Sequence, residues 1–290
     1  MVTGSKINKM PSIITNSLKE SFLAISKNKK IFLLIFILQI LFFFLILIVS
    51  SFYVSKILES TVEIMQYMDA LNLDVEKAKF DVLQQKNPLG ENPLLISRNY
   101  EAMKKNLLFL LFYIFIIFTI INGLIWYFAS NILEKNKKLF SLKNILSYLP
   151  RFFIVSLILS LSLFIFAYNF LNISFSGFLS TQPANFIPLL IVAIIAIYFI
   201  YIVIPLLNKF KIEEFKTLVK KTFRIGTRNF ISIIVSYLII IILIILSLVL
   251  ISYLVEINLF LLFIGLILML LIFAWSKIYF VIVVKKLSSL

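Results

Sequence analysis

The 290 residues are 62% hydrophobic and only 14% charged, with 31 phenylalanines and a mean hydropathy of +1.07. A soluble domain of this length has too little interior for so much apolar surface, so the solvent that accepts it is lipid. Cysteine and histidine are absent, which excludes disulfides, thiolate chemistry and imidazole acid–base catalysis, while the net charge of +15 has to be explained by where the charges lie.

In chain order, the first predicted element is an amphipathic helix over about 12–28, with Ile14, Leu18, Phe22 and Ile25 in a stripe and Lys19, Glu20 and Lys27 off it. An uncharged run then predicts a crossing at about 31–53, too long for the apolar part of a cleavable signal and expected to act as an uncleaved anchor. Residues 54–105 are expected to form an outer helical hairpin. Ile57, Ile64, Met65, Met68 and Leu71 continue a helical stripe there, and the breaker NPLGENP stands at 87–93.

A second crossing is predicted at about 106–133, followed by a basic amphipathic helix at about 136–149 with Leu139, Leu142, Ile145, Leu146 and Leu149 on one face. Pro150 is expected to mark the turn into the third crossing, about 152–171. Small polar residues, Gly177 and two prolines predict a loop over 171–188, where Asn172 begins a glycosylation sequon. The fourth crossing is expected at about 187–207. A third amphipathic helix follows at about 211–225, with Lys216, Lys220, Lys221 and Arg224 on its wet face and Gly226 ending or bending it. The last two crossings are predicted at about 229–254 and 257–279, with Glu256 between them and Lys277 counted with Lys285 and Lys286 in a basic flank.

The fold class implied is an all-α integral membrane protein. Its six transmembrane helices form three repeats of an amphipathic helix followed by a transmembrane hairpin. The basic segments all fall on one side, which places both termini in the cytoplasm and the protein in the cell membrane. Attraction of these segments to an anionic inner leaflet accounts for the charge without nucleic acid, for which no recognition module is present.

No ionisable residue is expected in the centre of a crossing. Gln39, Asn122, Ser160 and Ser236 are each expected to lie roughly 12–17 Å from the cytoplasmic end of their helices, a shared depth that fits interhelical hydrogen bonds or a polar pocket. Trp126, Tyr127, Trp275 and Tyr279 are read as interfacial anchors. Of the adjacent Glu213 and Glu214, Glu213 is explained by pairing along its helix with Lys216 or Lys209. No metal or cofactor site is expected.

The lead-ins SLKESFLAISKNKKIFLLIFI, SLKNILSYLPRFFIVSLIL and TLVKKTFRIGTRNFISIIVSYL each run from a basic amphipathic turn into an Ile/Phe/Leu wall. This pattern resembles the six-helix membrane domain attached to some bacterial glycerophosphodiester phosphodiesterases and its stand-alone prokaryotic relatives. The resemblance implies a membrane domain without catalytic residues, because the activity of the fused enzymes belongs to a separate soluble domain. Two functions follow as expectations: a non-enzymatic protein that associates with lipid or organises partners, or the membrane subunit of a transporter coupled to a separate cytoplasmic ATPase.

Overall fold

A computed structural model of the chain describes residues 10–70, 93–133, 141–176, 186–209 and 214–289. The described residues form helices α1 (Met10–Lys27), α2 (Lys29–Ala70), α3 (Pro93–Ile117), a π-helical turn (Phe118–Asn122), α4 (Gly123–Asn131), α5 (Leu142–Ser176), α6 (Phe186–Val203), a 3-10 turn (Ile204–Lys209), α7 (Phe215–Arg228), α8 (Phe230–Ile257) and α9 (Leu259–Ser288). No strand occurs among them. Six stretches are long and apolar enough to cross a bilayer: Lys29–Tyr67, Leu94–Asn131, Leu142–Ser162, Leu190–Asn208, Phe230–Ile257 and Leu259–Ser288. This is a multi-pass membrane architecture, and it is helical because lipid offers no partner to an unpaired backbone group.

The chain divides into two units, Met1–Phe42 with Phe118–Leu290, and Phe43–Ile117. In the second unit, α2 and α3 run antiparallel. Tyr53 stacks on Tyr113 at 5.7 Å, Thr61 Oγ1 meets Met103 Sδ at 3.8 Å, and Asn99 Nδ2 donates to Glu63 at 2.8 Å. Residues 54–70 and 93–105, the described parts of the expected outer helical hairpin, are helical and continuous with α2 and α3. The breaker at 87–93 lies almost wholly outside the described residues.

The core of the first unit is built around the second half of α9. Ala274, Trp275 and every residue from Ile278 to Val284 are buried, whereas Leu259, Phe260 and Phe263 in its first half are exposed and left for lipid. Around that buried half stand α1, α4, the 3-10 turn, α7 and α8. Helices α8 and α9 are joined through Asn258, whose side chain caps α9 by accepting from Phe260 N at 3.0 Å. They approach closely at Gly265, where an added Cβ would lie 3.8 Å from the Ile251 Cα.

Helix α1 packs on α9 with a face that its sequence did not advertise. Ser17, Ser21 and Ala24 are buried, while Phe22 from the apolar stripe is 61% exposed. Small residues let the two backbones close up, and Ser21 Oγ accepts from Trp275 Nε1 at 3.0 Å. Trp126, Tyr127, Trp275 and Tyr279 are all buried, so these rings belong to the core and not to an interfacial belt. Trp275 and Tyr279 stack at 5.1 Å with their planes 7° apart.

The helix break at Asn28 is held by its own side chain. Asn28 Nδ2 donates to Ala24 O at 3.1 Å and to Ile132 O at 3.0 Å, satisfying a carbonyl just past the end of α4. Asn28→Ala is expected to cost about 1 kcal/mol, seen as a lower melting temperature in mild detergent. An unchanged temperature would mean that water serves these carbonyls equally well.

Two expected helix interruptions are absent. Pro150 lies inside α5, which continues from Leu142 to Ser176. A proline inside a helix removes one i−4 bond, here the one to the Leu146 carbonyl, and membrane helices tolerate that loss. Beside it Arg151 ties α5 to the 3-10 turn: Nε donates to Ser147 O at 2.8 Å, one terminal nitrogen to Leu207 O at 2.9 Å and the other to Ser147 Oγ at 2.6 Å. Gly226 does not end α7, which runs on to Arg228. Its role is close approach: the Phe199 ring and Ile202 of α6 lie against it. Residues 136–140 and 211–213 of the expected amphipathic helices lie outside the described residues, as do 177–185 of the expected loop.

Candidate functional site

The polar side chains of the first unit line up along the buried half of α9. From Trp275 onward this helix presents Trp275 to Ser21, Lys277 to two amides, Tyr279 to Ser236, Lys285 to the end of α4 and Lys286 to Glu20 of α1.

Lys277 is the centre of this row. Its Nζ donates to Gln39 Oε1 at 2.6 Å and to Asn122 Oδ1 at 2.9 Å, from α2 and the π turn respectively. Gln39 is 2% exposed and Asn122 7%, while Lys277 itself is half-buried. The π turn matters to this geometry. It adds one residue to a helical turn, and such bulges re-aim side chains without breaking the helix. Here Thr119, Ile121 and Asn122 are all buried, and Thr119 Oγ1 lies 3.1 Å from Ser156 Oγ of α5.

Gln39 and Asn122, read from the sequence as lying at one depth, therefore meet on a common cation. Ser236 lies one step further along α9. It donates to Ser232 O at 2.8 Å and faces the Tyr279 hydroxyl at 3.4 Å. Ser160 does not join the group, since its hydroxyl turns back to Ser156 O at 2.8 Å in its own helix. Lys277 was expected in a terminal flank. In the structure α9 continues to Ser288, about 16 Å beyond Lys277 at 1.5 Å per residue, and Lys277 is held by two side-chain amides rather than left in a free tail.

The other two lysines of α9 have different tasks. Lys285 Nζ donates to Ser130 O in the last turn of α4, where a cation suits the negative end of the helix. Lys286 pairs with Glu20 of α1 at 2.9 Å. On α7, Leu218, Thr222 and Ile225 face inward, Lys216, Lys220 and Arg224 are exposed, and Lys221 is half-buried. Phe223 is 56% exposed on the same helix and stacks at 4.4 Å on Phe199 of α6.

A second polar feature is a cavity of about 250 Å³ lined by Tyr127, Asn131, Asn144, Ser147, Arg151 and Asn208. Asn131 Nδ2 is engaged by Tyr127 O at 2.9 Å, and Asn208 Nδ2 is a buried donor without a protein partner. The space suffices for several water molecules. Among the described residues, no three acidic side chains come together as a metal would require.

Sequence reasoning missed Lys277, the Thr119–Ser156 pair and the Arg151 network. A signal for Lys277 was present. The seven residues IYFVIVV follow it before the next lysine, too long an apolar run for a solvated tail. Compared with known proteins, the chain matches no family model, no curated protein and no solved structure.

Proposed function

We propose that the chain is a non-enzymatic protein of the cell membrane, with both termini cytoplasmic, which binds anionic lipid of the inner leaflet and organises lipid or partner proteins there. The observation that carries this reading is α7. It seats Leu218, Thr222 and Ile225 on the bundle and leaves Lys216, Lys220 and Arg224 exposed beside the apolar Val219 and Phe223. A basic helix with exposed apolar residues at its edge suits a headgroup layer, and each basic residue near an anionic surface contributes about 1 kcal/mol. Helix α1 repeats the arrangement, with Phe22 and Leu23 exposed. The resemblance to stand-alone membrane domains points the same way.

Charge reversal tests it. With Lys216, Lys220 and Arg224 all changed to Glu, the anionic lipid retained per protein after mild extraction is expected to fall at least threefold, with neutral lipid unchanged. Retention of the same anionic lipid by the variant would overturn the reading.

A second reading, the membrane subunit of a transporter with a separate ATPase, is favoured by Lys277, since ionisable groups within crossings commonly line the paths of ions and solutes. A stoichiometric cytoplasmic ATPase in the same extract, lost on the charge reversal, would establish this second reading and displace the first.

A further inference from the structure

We propose that Lys277, together with Gln39 and Asn122, binds the anionic end of an amphiphile, a phosphate or carboxylate borne on an apolar tail. This site is distinct from the surface helices and does not depend on their role.

The argument begins with charge. Two neutral amides accept two of the three donors of the Lys277 ammonium, but they carry no opposite charge. Among the described residues no carboxylate meets it. Its two neighbours on the helix are answered differently, Lys285 by the carbonyl end of α4 and Lys286 by Glu20. A charge held away from water with amides alone is an incomplete arrangement, and an anion completes it.

Geometry supplies the rest. Both amides are buried and come from two other helices, one of them through a π turn, so the site is built and not incidental. Lys277 is half-buried, so part of its side chain reaches the surface of the bundle. The face of α9 leading away from it carries Phe273, Leu270 and Leu266, four, seven and eleven residues earlier, passing from half-buried to exposed. An occupant of this seam has one anionic end and an apolar body. A lipid headgroup and a free fatty acid or alkyl phosphate share that chemistry.

The test uses the full chain in phosphatidylcholine vesicles and follows the fluorescence of its two tryptophans, one of which is Trp275, during titration with decanoate, decyl phosphate, decanol and inorganic phosphate. Saturable binding is expected for decanoate and decyl phosphate, but not for decanol or inorganic phosphate. Affinity should rise roughly fourfold per methylene from hexanoate to decanoate. Lys277→Gln should weaken decanoate at least tenfold, and Lys277→Arg should keep it within threefold.

Equal binding of decanol, saturation by inorganic phosphate, or no dependence on chain length would each overturn the proposal. These outcomes are read on the unaltered protein, so they stand even if a Lys277 variant fails to fold. Displacement of decanoate by phosphatidylglycerol added to the vesicles supports the site with lipid as its occupant. Binding without displacement supports it with a soluble amphiphile.

Discussion

Asn122→Leu is expected to destabilise the folded protein by about 1.5–3 kcal/mol, because it removes one of two acceptors from the Lys277 nitrogen. Gln39→Leu should cost a similar amount for the same reason. Lys277→Met should also be costly, since it strands two buried amides whose oxygens then face apolar groups. The informative variant is the triple one, Gln39→Leu with Asn122→Leu and Lys277→Met. Replacing every partner by apolar groups of similar shape is close to neutral, so this variant is expected to melt above each of the single variants. A triple variant that melts lowest of all would show that the three residues do not act as a unit. The comparison also separates roles: a stable triple variant that has lost decanoate binding assigns the cluster to a ligand and not to the fold.

Gly226→Ala is expected to cost about 1–3 kcal/mol through overpacking, and Gly226→Val more. An alanine Cβ there would lie 2.6 Å from the Phe199 Cε1 and 3.2 Å from the Ile202 Cδ1. The Phe199 ring is not free to swing away, because it stacks on Phe223 at 4.4 Å with an 8° angle between planes. The Gly226 carbonyl also accepts from the Tyr198 hydroxyl at 2.9 Å, which fixes α7 on α6 at this height. Phe199→Leu in the same chain should recover part of the loss. Melting temperatures in detergent decide it, and a Gly226→Ala protein as stable as the parent would remove the close approach from the account.

The six crossings were legible because lipid imposes a length and a composition on any helix that spans it. Counting residues inward from the basic flanks singled out Gln39 and Asn122 among four polar residues, and these two share a partner. The partner was not legible by the same rule. Lys277 resembled a flank because two more lysines follow it, and hydropathy does not distinguish a helix that leaves the membrane from one whose end is wrapped by other helices.

Pro150 and Gly226 misled for a related reason. Each is a breaker by local propensity, yet the first lies inside a helix tied to the 3-10 turn by Arg151 and the second has the Phe199 ring packed against it. Such tertiary contacts are invisible along a single strand of sequence. The packing face of α1 was missed because Ser17, Ser21 and Ala24 are small and only weakly apolar, so a hydrophobic stripe analysis passes over the residues that permit the closest contact.

The core of the first unit is wrapped around α9, and α9 is the last of the described helices to leave the ribosome. The earlier crossings therefore enter the bilayer with their mates still unmade. Gln39 and Asn122 wait without a donor, Ser21 without Trp275, and the carbonyl end of α4 without Lys285. A membrane offers such groups nothing better than one another, so the unfinished chain is a loose assembly exposed to quality control for as long as synthesis lasts. A chain interrupted before Trp275 lacks Lys277, and with it the one donor that Gln39 and Asn122 share.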